Sequence, residues 1–267
     1  MPTLSPKMFI ARFIRMLLSL PFLWAGRLAG MFGSPLCVAL LKTAWRISLD
    51  GRTGVTALGA IAKYVGPAEA IGCGLAWMEK HPRAELAAYA GIVAAEAGLA
   101  DIARNMLTAS SQFPPDGMGL AETLEFSVAK RFEPLGAAAD CARRLESRND
   151  LSPTVSGMIY TELLWDAVLR GRLDEARGRA EHILAIGDAP MANLVLAALS
   201  HNAGQSAGHM AKASKLPPAE LHYYSFLTAS GTGDDERANE HLARLTEFNT
   251  GLAEYAAVQV SAAREAE

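Results

Sequence analysis

Apolar and polar positions along this chain follow two regimes. From Met16 to Leu41 the run MLLSLPFLWAGRLAGMFGSPLCVALL is almost continuously apolar, broken by Arg27, Pro21 and Pro35. At its start, three- and four-residue steps predict a helix with Arg12, Arg15 and Ser19 on one face. Phe9, Ile10, Phe13, Ile14, Leu17 and Leu18 cover the rest. From Gly51 onward the pattern changes to short Ala- and Leu-rich blocks of helical period, punctuated by glycine and proline. A last amphipathic stretch, Leu252–Ala266, reads as a terminal helix.

The blocks repeat. In Ala84–Pro115, AELAAYAGIVAAEAGLADIARNMLTASSQFPP, Gly91 is a small position in a first helix and Gly98 ends it. Ala103 is the small residue of a second helix, and Pro115 closes the unit. The same order recurs in Gly157–Asp188 through Gly171 and Ala176, with Leu163 and Ala167 toward the core, and in Ala219–Thr250 through Gly233 and Ala238. In Gly51–Pro82, Ala70 and Pro82 stand 33 residues before Ala103 and Pro115. Gly117–Ser152 and Pro190–Pro217, the latter with Gly204, fill the gaps. Small residues let two helices approach, glycine supplies the helix C-cap, and proline stops the second helix.

Over residues 51–250 this grammar resembles the tetratricopeptide (TPR) repeat and TPR-like α-solenoid families. It departs from them in lacking most signature aromatics of the first helix and in carrying Leu107 where the second helix has one. The resemblance implies an all-α fold, a right-handed superhelical solenoid of antiparallel helical hairpins. Six hairpins are expected, at 51–82, 84–115, 117–152, 157–188, 190–217 and 219–250, with 252–266 as C-terminal cap. The repeat domain would cover 50–267, and 1–49 would form separate basic, apolar helices. The alternative is a non-repetitive alanine-rich bundle.

Composition agrees with an α class, since hydrophobic residues make up 51% of 267 residues and aromatics only 7%. A net charge of −3 leaves no basic field, so no nucleic-acid partner is expected. Charge is nevertheless uneven. Residues 1–49 carry +6 with no acid before Asp50, and the remainder carries 19 basic against 28 acidic side chains. A central Arg27 costs about 2.5–3.5 kcal/mol in a spanning helix and much less at an interface. The segment therefore reads as a helix lying on a membrane surface, contacting it through Arg12, Arg15, Leu17, Leu18, Phe22, Trp24 and Arg27. Other readings are a signal peptide without a good cleavage site, a single span without clear orientation, and a hairpin capping the solenoid.

Candidate chemistry is sparse. Gly204-Gln205-Ser206-Ala207-Gly208 has the form of a nucleophile elbow but follows Met191–Ala203, which reads as a helix where the elbow needs a strand; Ser206 reads instead as a helix cap. Three Gly-x-Gly fragments lack the third glycine of a dinucleotide loop, and no HExxH string occurs. Cys37, Cys73 and Cys141 have no CxxC spacing and read as small buried hydrophobes. No cofactor, metal or small-molecule substrate is expected. Asp174-Glu175 and Asp234-Asp235-Glu236 read as helix starts.

The family resemblance implies a concave face built from the first helix of each hairpin. Its mapped positions include Tyr89, Ile92, Trp165, Leu194, Tyr223, Tyr224 and Leu227, with Glu85, Thr161, Glu162 and Glu220 among them. Only Arg52 and Lys63 would add cations, too few for a carboxylate clamp, so an apolar helix or extended segment of another protein is the expected occupant. The same aromatics packing between neighbouring repeats is the alternative. The expected function is a non-catalytic, membrane-tethered interaction scaffold or assembly factor on the cytoplasmic face. A soluble cytoplasmic binding module and an enzyme with an inter-helix site are the alternatives.

Overall fold

A computed structural model describes residues 6–114, 119–133, 136–148, 151 and 153–265; the side chains of 6–9, 12 and 154 are outside that description. The sequence readings that fall on Arg12, Pro115, Ser152 and the first two residues of the 117–119 Gly-x-Gly fragment therefore lie outside the described side chains or residues. The chain is 84% helical, and no strand occurs among the described residues. Fifteen helices are described: α1 (Pro6–Met31), α2 (Leu36–Ser48), α3 (Gly51–Tyr64), α4 (Pro67–Lys80), α5 (Ala84–Glu96), α6 (Ala100–Ser110), α7 (Leu120–Phe132) and α8 (Ala137–Glu146) are followed by α9 (Pro153–Leu169), α10 (Leu173–Ile186), α11 (Pro190–Leu199), α12 (Ala203–Ala213), α13 (Pro218–Thr232), α14 (Asp235–Phe248) and α15 (Thr250–Glu265).

They divide into two compact units, Met1–Phe132 and Glu133–Glu267. In the first, consecutive helices pack as pairs, α1 on α2, α3 on α4 and α5 on α6, and alternate helices α1, α3, α5 and α7 pack in series. In the second, α9 packs on α10, α11 on α12, and α13 on α14. This is the packing of a helical-repeat-like all-α protein. The helices that sequence places in one hairpin at 117–152, α7 and α8, fall in different units.

One turn recurs at the sequence-identified glycines. Gly98, Gly171 and Gly233 have φ of +77°, +61° and +76°. After each, the next amide donates five residues back, Leu99 to the Ala94 carbonyl, Arg172 to Ala167 and Asp234 to Ala229. Gly33, with φ +65°, does the same between α1 and α2 through Ser34 and Ala29. These are left-handed C-caps, a conformation that costs a residue with Cβ about 1 kcal/mol or more.

Each unit has its own core. In the first, Trp45 of α2 stacks on Trp77 of α4 with centroids 5.2 Å apart, among Leu41, Leu58, Ile61 and Leu86. α2 contributes Cys37, Leu41, Ala44 and Trp45 to this core, so residues from the 1–49 segment share it with the helices after them. In the second, Trp165 of α9 stacks on Tyr224 of α13 at 5.0 Å. The α9–α13 contact skips the α11–α12 pair, whereas in an open array each repeat touches only its neighbours. A small residue permits it: a Cβ on Gly231 of α13 would lie 2.0 Å from the Val168 carbonyl oxygen of α9.

Gly231→Ala should therefore destabilise the second unit, by about 1–3 kcal/mol or more, because the obstacle is backbone. Ala176→Leu, at a fully buried position, should do the same. Gly72→Ala, on an exposed helical site with nothing within 4 Å, should instead stabilise by about 0.5–1 kcal/mol. Thermal unfolding followed by circular dichroism measures all three; a wild-type Tm for Gly231→Ala would refute the close contact.

Candidate functional site

The most unusual surface belongs to α1. A helix on a globular body normally buries its large apolar residues and shows its small or polar ones. Here Ser19, Leu23, Gly26 and Gly30, at three- and four-residue steps, make the buried seam, with Phe22 and Ala29 packed beside it. The approach is close. A Cβ on Gly26 would meet Leu41 of α2 at 2.7 Å, and one on Gly30 would meet Tyr64 of α3 at 2.7 Å. Ser19, fully buried, donates its hydroxyl to the Met16 carbonyl one turn back and so needs no outside partner.

The opposite side of α1 carries the large residues. Ile10, Phe13, Ile14, Leu17, Trp24 and Leu28 are exposed, and their spacing places them on one stripe along the helix. Met31, Phe32 and Leu36 continue it around the turn into α2, and Trp24 is 70% exposed. Patches of this extent on soluble monomers mark interaction surfaces. Of the residues expected to meet a membrane, Arg15, Leu17, Leu18, Trp24 and Arg27 are exposed, whereas Phe22 turns toward the body. Arg15 sits one turn before Ser19 and Arg27 one turn after Leu23, so neither interrupts the stripe. Among the described residues no helix is long and apolar enough to cross a membrane.

The seam itself was not anticipated. The Gly26-x-x-x-Gly30 spacing was its available signal, since two glycines one turn apart let a second backbone approach along that row.

The residues assigned to a concave face are placed differently. Ile92, Trp165, Leu194 and Leu227 are core side chains, Leu227 at 1% exposure, and offer a partner almost no surface. Tyr223 and Tyr224 are half-buried, and Tyr89 reaches to where a Cβ of Gly59 would be, 2.8 Å from its hydroxyl. In the second unit these aromatics meet one another. Tyr224 stacks on Trp165 and meets Tyr223 edge-on, and Tyr223 donates its hydroxyl to Gln259 of α15 at 2.7 Å. Burial pushes the Tyr223 phenol well above its ordinary value, with Tyr255, Tyr224 and Glu162 acting in the same direction.

The catalytic-looking string lies inside a helix. Asn202, and not Ser206 as the sequence suggests, caps α12, accepting from the amides of Gly204 and Gln205. An N-cap must stand just outside the first turn, and Ser206 is already within it. Its hydroxyl donates to the Ala197 carbonyl of α11 at 2.8 Å. Nearby, a cleft of ≈ 490 Å³ between α10, α11 and α12 is lined by Arg177, Glu181, His201, Gln205 and His209. His209 Nδ1 lies 2.8 Å from the side-chain oxygen of buried Asn193, and Arg177 donates to the Leu199 carbonyl. Both polar groups thus serve inter-helix contacts.

Elsewhere polar groups hold helices together. Asp166 receives Arg143, Arg170 and Arg172, and Glu146 with Glu175 receives Arg179. Among the described residues no group of three His, Cys, Asp or Glu could hold a metal ion. Cys37, Cys73 and Cys141 are buried free thiols. His222 and His241 face each other with Nδ1 atoms 3.1 Å apart, so one proton serves that contact, and His222 stacks on Phe248. Burial, then His222, hold His241 below its ordinary value. Neither a family model nor a curated protein matches this chain.

Two measurements test this geometry. Trp165→Ala removes a stacked, buried ring and should cost about 3–5 kcal/mol of stability. Trp165→Phe keeps a ring on Tyr224 and removes an indole N–H that has no hydrogen-bond partner among the described residues; its cost should be clearly smaller. Equal Tm values for wild type and Trp165→Ala would return that ring to the surface. For His241 the folded form resists protonation, so the unfolded chain binds more protons just below pH 6.5. Stability is then full above that value and falls on acidification through the lowered folded value. Tm should drop less steeply between neutral pH and pH 5.5 in His241→Gln than in the wild type; parallel curves would remove this pair from the account.

Proposed function

We propose that this protein is a non-catalytic interaction scaffold tethered to a membrane surface through α1, its TPR-like helical hairpins forming the body that holds another protein. One observation carries the tether. α1 turns its small residues inward and a stripe of large apolar residues outward, within a segment carrying +6 and no acid before Asp50. Water offers that stripe nothing, whereas a bilayer interface takes both its apolar area and its charge. The capping alternative accounts for α2, which is core, and for the inner seam of α1, but leaves the stripe unexplained.

The scaffold reading rests on the repeat-like packing of the pairs and on the turn shared by Gly98, Gly171 and Gly233. In the second unit the aromatic residues of the supposed inner face are occupied by one another, so the proposal assigns them to stability and not to a partner. The cytoplasmic face is proposed only as the side on which a basic apolar segment meets anionic lipid.

Removing residues 1–49 would strip the first core, so the test uses substitutions on the stripe. Full-length protein should float with membranes in a density gradient. Leu17→Glu with Leu28→Glu, both exposed, should leave it in the soluble fraction with unchanged helical content. A wild-type chain that stays soluble alongside membranes would overturn the tether.

A further inference from the structure

We infer that α1 lies in the plane of one leaflet of an anionic bilayer, its outward stripe at the acyl boundary and the first unit standing above it; this rests on the tether proposed above. A helix inserted upright needs apolar residues all round, and one lying flat needs them on one side only. From Ser19 to Gly30 the other side of α1 is bolted to α2 and α3 at distances that leave no room for a methyl group on Gly26 or Gly30. Upright insertion of that part would carry α2 and α3 with it. With them would go Asp50, which caps α3, and the ion pair that ties Lys42 of α2 to Glu69 of α4, none of which belongs in hydrocarbon.

The stripe from Ile10 to Met31 extends about 33 Å along the helix, and in the proposed orientation that length runs along the surface. α2 is half as long as α1, so the first turns of α1 extend past it. There residues 13–18 are exposed on every side: Phe13, Ile14 and Leu17 lie on the stripe, Met16 and Leu18 flank it, and Arg15 is directed away from it. That is the arrangement of an interfacial amphipathic helix, whose cations stay at headgroup level while its apolar side sinks about 5–10 Å. The occupant is a lipid surface and not a second helix because α1 is uniformly basic: a second copy would bring Lys7, Arg12, Arg15 and Arg27 against the same four cations, whereas anionic headgroups complement them.

The chain carries its own reporter. Of four tryptophans, Trp45, Trp77 and Trp165 are buried and Trp24 alone is exposed, on the stripe. Full-length protein is titrated with vesicles of phosphatidylcholine alone and with added phosphatidylglycerol, reading Trp24 emission, with Trp24→Phe as blank. The expected result is a blue shift and loss of acrylamide quenching on the anionic vesicles, reversed by salt. Lipids labelled near the headgroup should quench Trp24 more than lipids labelled at the chain terminus. Arg15→Gln with Arg27→Gln should weaken binding roughly thirtyfold, at unchanged Tm. Equal, salt-insensitive binding to both vesicles would overturn the anionic assignment and leave the tether standing. Stronger quenching from the chain terminus would overturn the in-plane orientation alone. Binding to neither vesicle would overturn tether and orientation together, as would Trp24 burial that rises with protein concentration and accompanies dimers in sedimentation.

Discussion

Helices in this chain come close because, at the contacts between them, one of the two facing positions often holds no more than a methyl group. Ala103 and Ala176 are fully buried, Ala238 nearly so, and Gly91 has Leu124 and Met106 where its Cβ would stand. A neighbouring side chain, or at Gly231 the Val168 backbone, fills the space beside each glycine at such a contact, so a single added carbon is felt. This explains how a chain with only 7% aromatic residues fills two cores. Its few rings act as local wedges, Trp45 on Trp77 in one unit and Trp165 on Tyr224 in the other.

The same constraint decides what α1 presents. Once Ser19, Gly26 and Gly30 are used for the seam, the helix has its bulky residues on the remaining side. In the repeat pairs those residues find a neighbouring helix. The outer side of α1 has no neighbour among the described residues of its unit, so its large apolar residues stay exposed there.

Local chemistry decides how much of this fold is legible in the sequence. Gly98, Gly171 and Gly233 are legible as helix ends because a left-handed C-cap selects glycine at that position whatever surrounds it. The buried alanines after them are legible because a second helix must fold back there. The supposed inner face is not. Whether Trp165 meets solvent or Tyr224 depends on a contact between α9 and α13, which are far apart in sequence, and no helical period encodes it. Asn202 stands at the position the α12 cap requires, yet the Gly-x-Ser-x-Gly form points to Ser206 instead. The division at residue 49 reflects the change in composition, but Trp45 and Leu41 pack on helices beyond it.

The mounting of α1 determines what kind of tether it can be. A leash would need a free linker, yet α1 reaches α2 through the tight turn at Gly33, and α2 reaches α3 through Leu49, which sits at φ +51°, and the cap of Asp50. A non-glycine residue is held in that conformation only where its surroundings determine it, and Leu49 packs on the first core. From the seam to α3 the chain therefore runs through short, capped turns and no long linker. On the proposed seating, the plane of the bilayer and the orientation of the first unit are linked through Gly26 on Leu41 and Gly30 on Tyr64. On that proposal a larger residue at either glycine would tilt or release the stripe without touching a side chain assigned to lipid, and Gly26 and Gly30 would control the proposed membrane binding as much as the outward leucines.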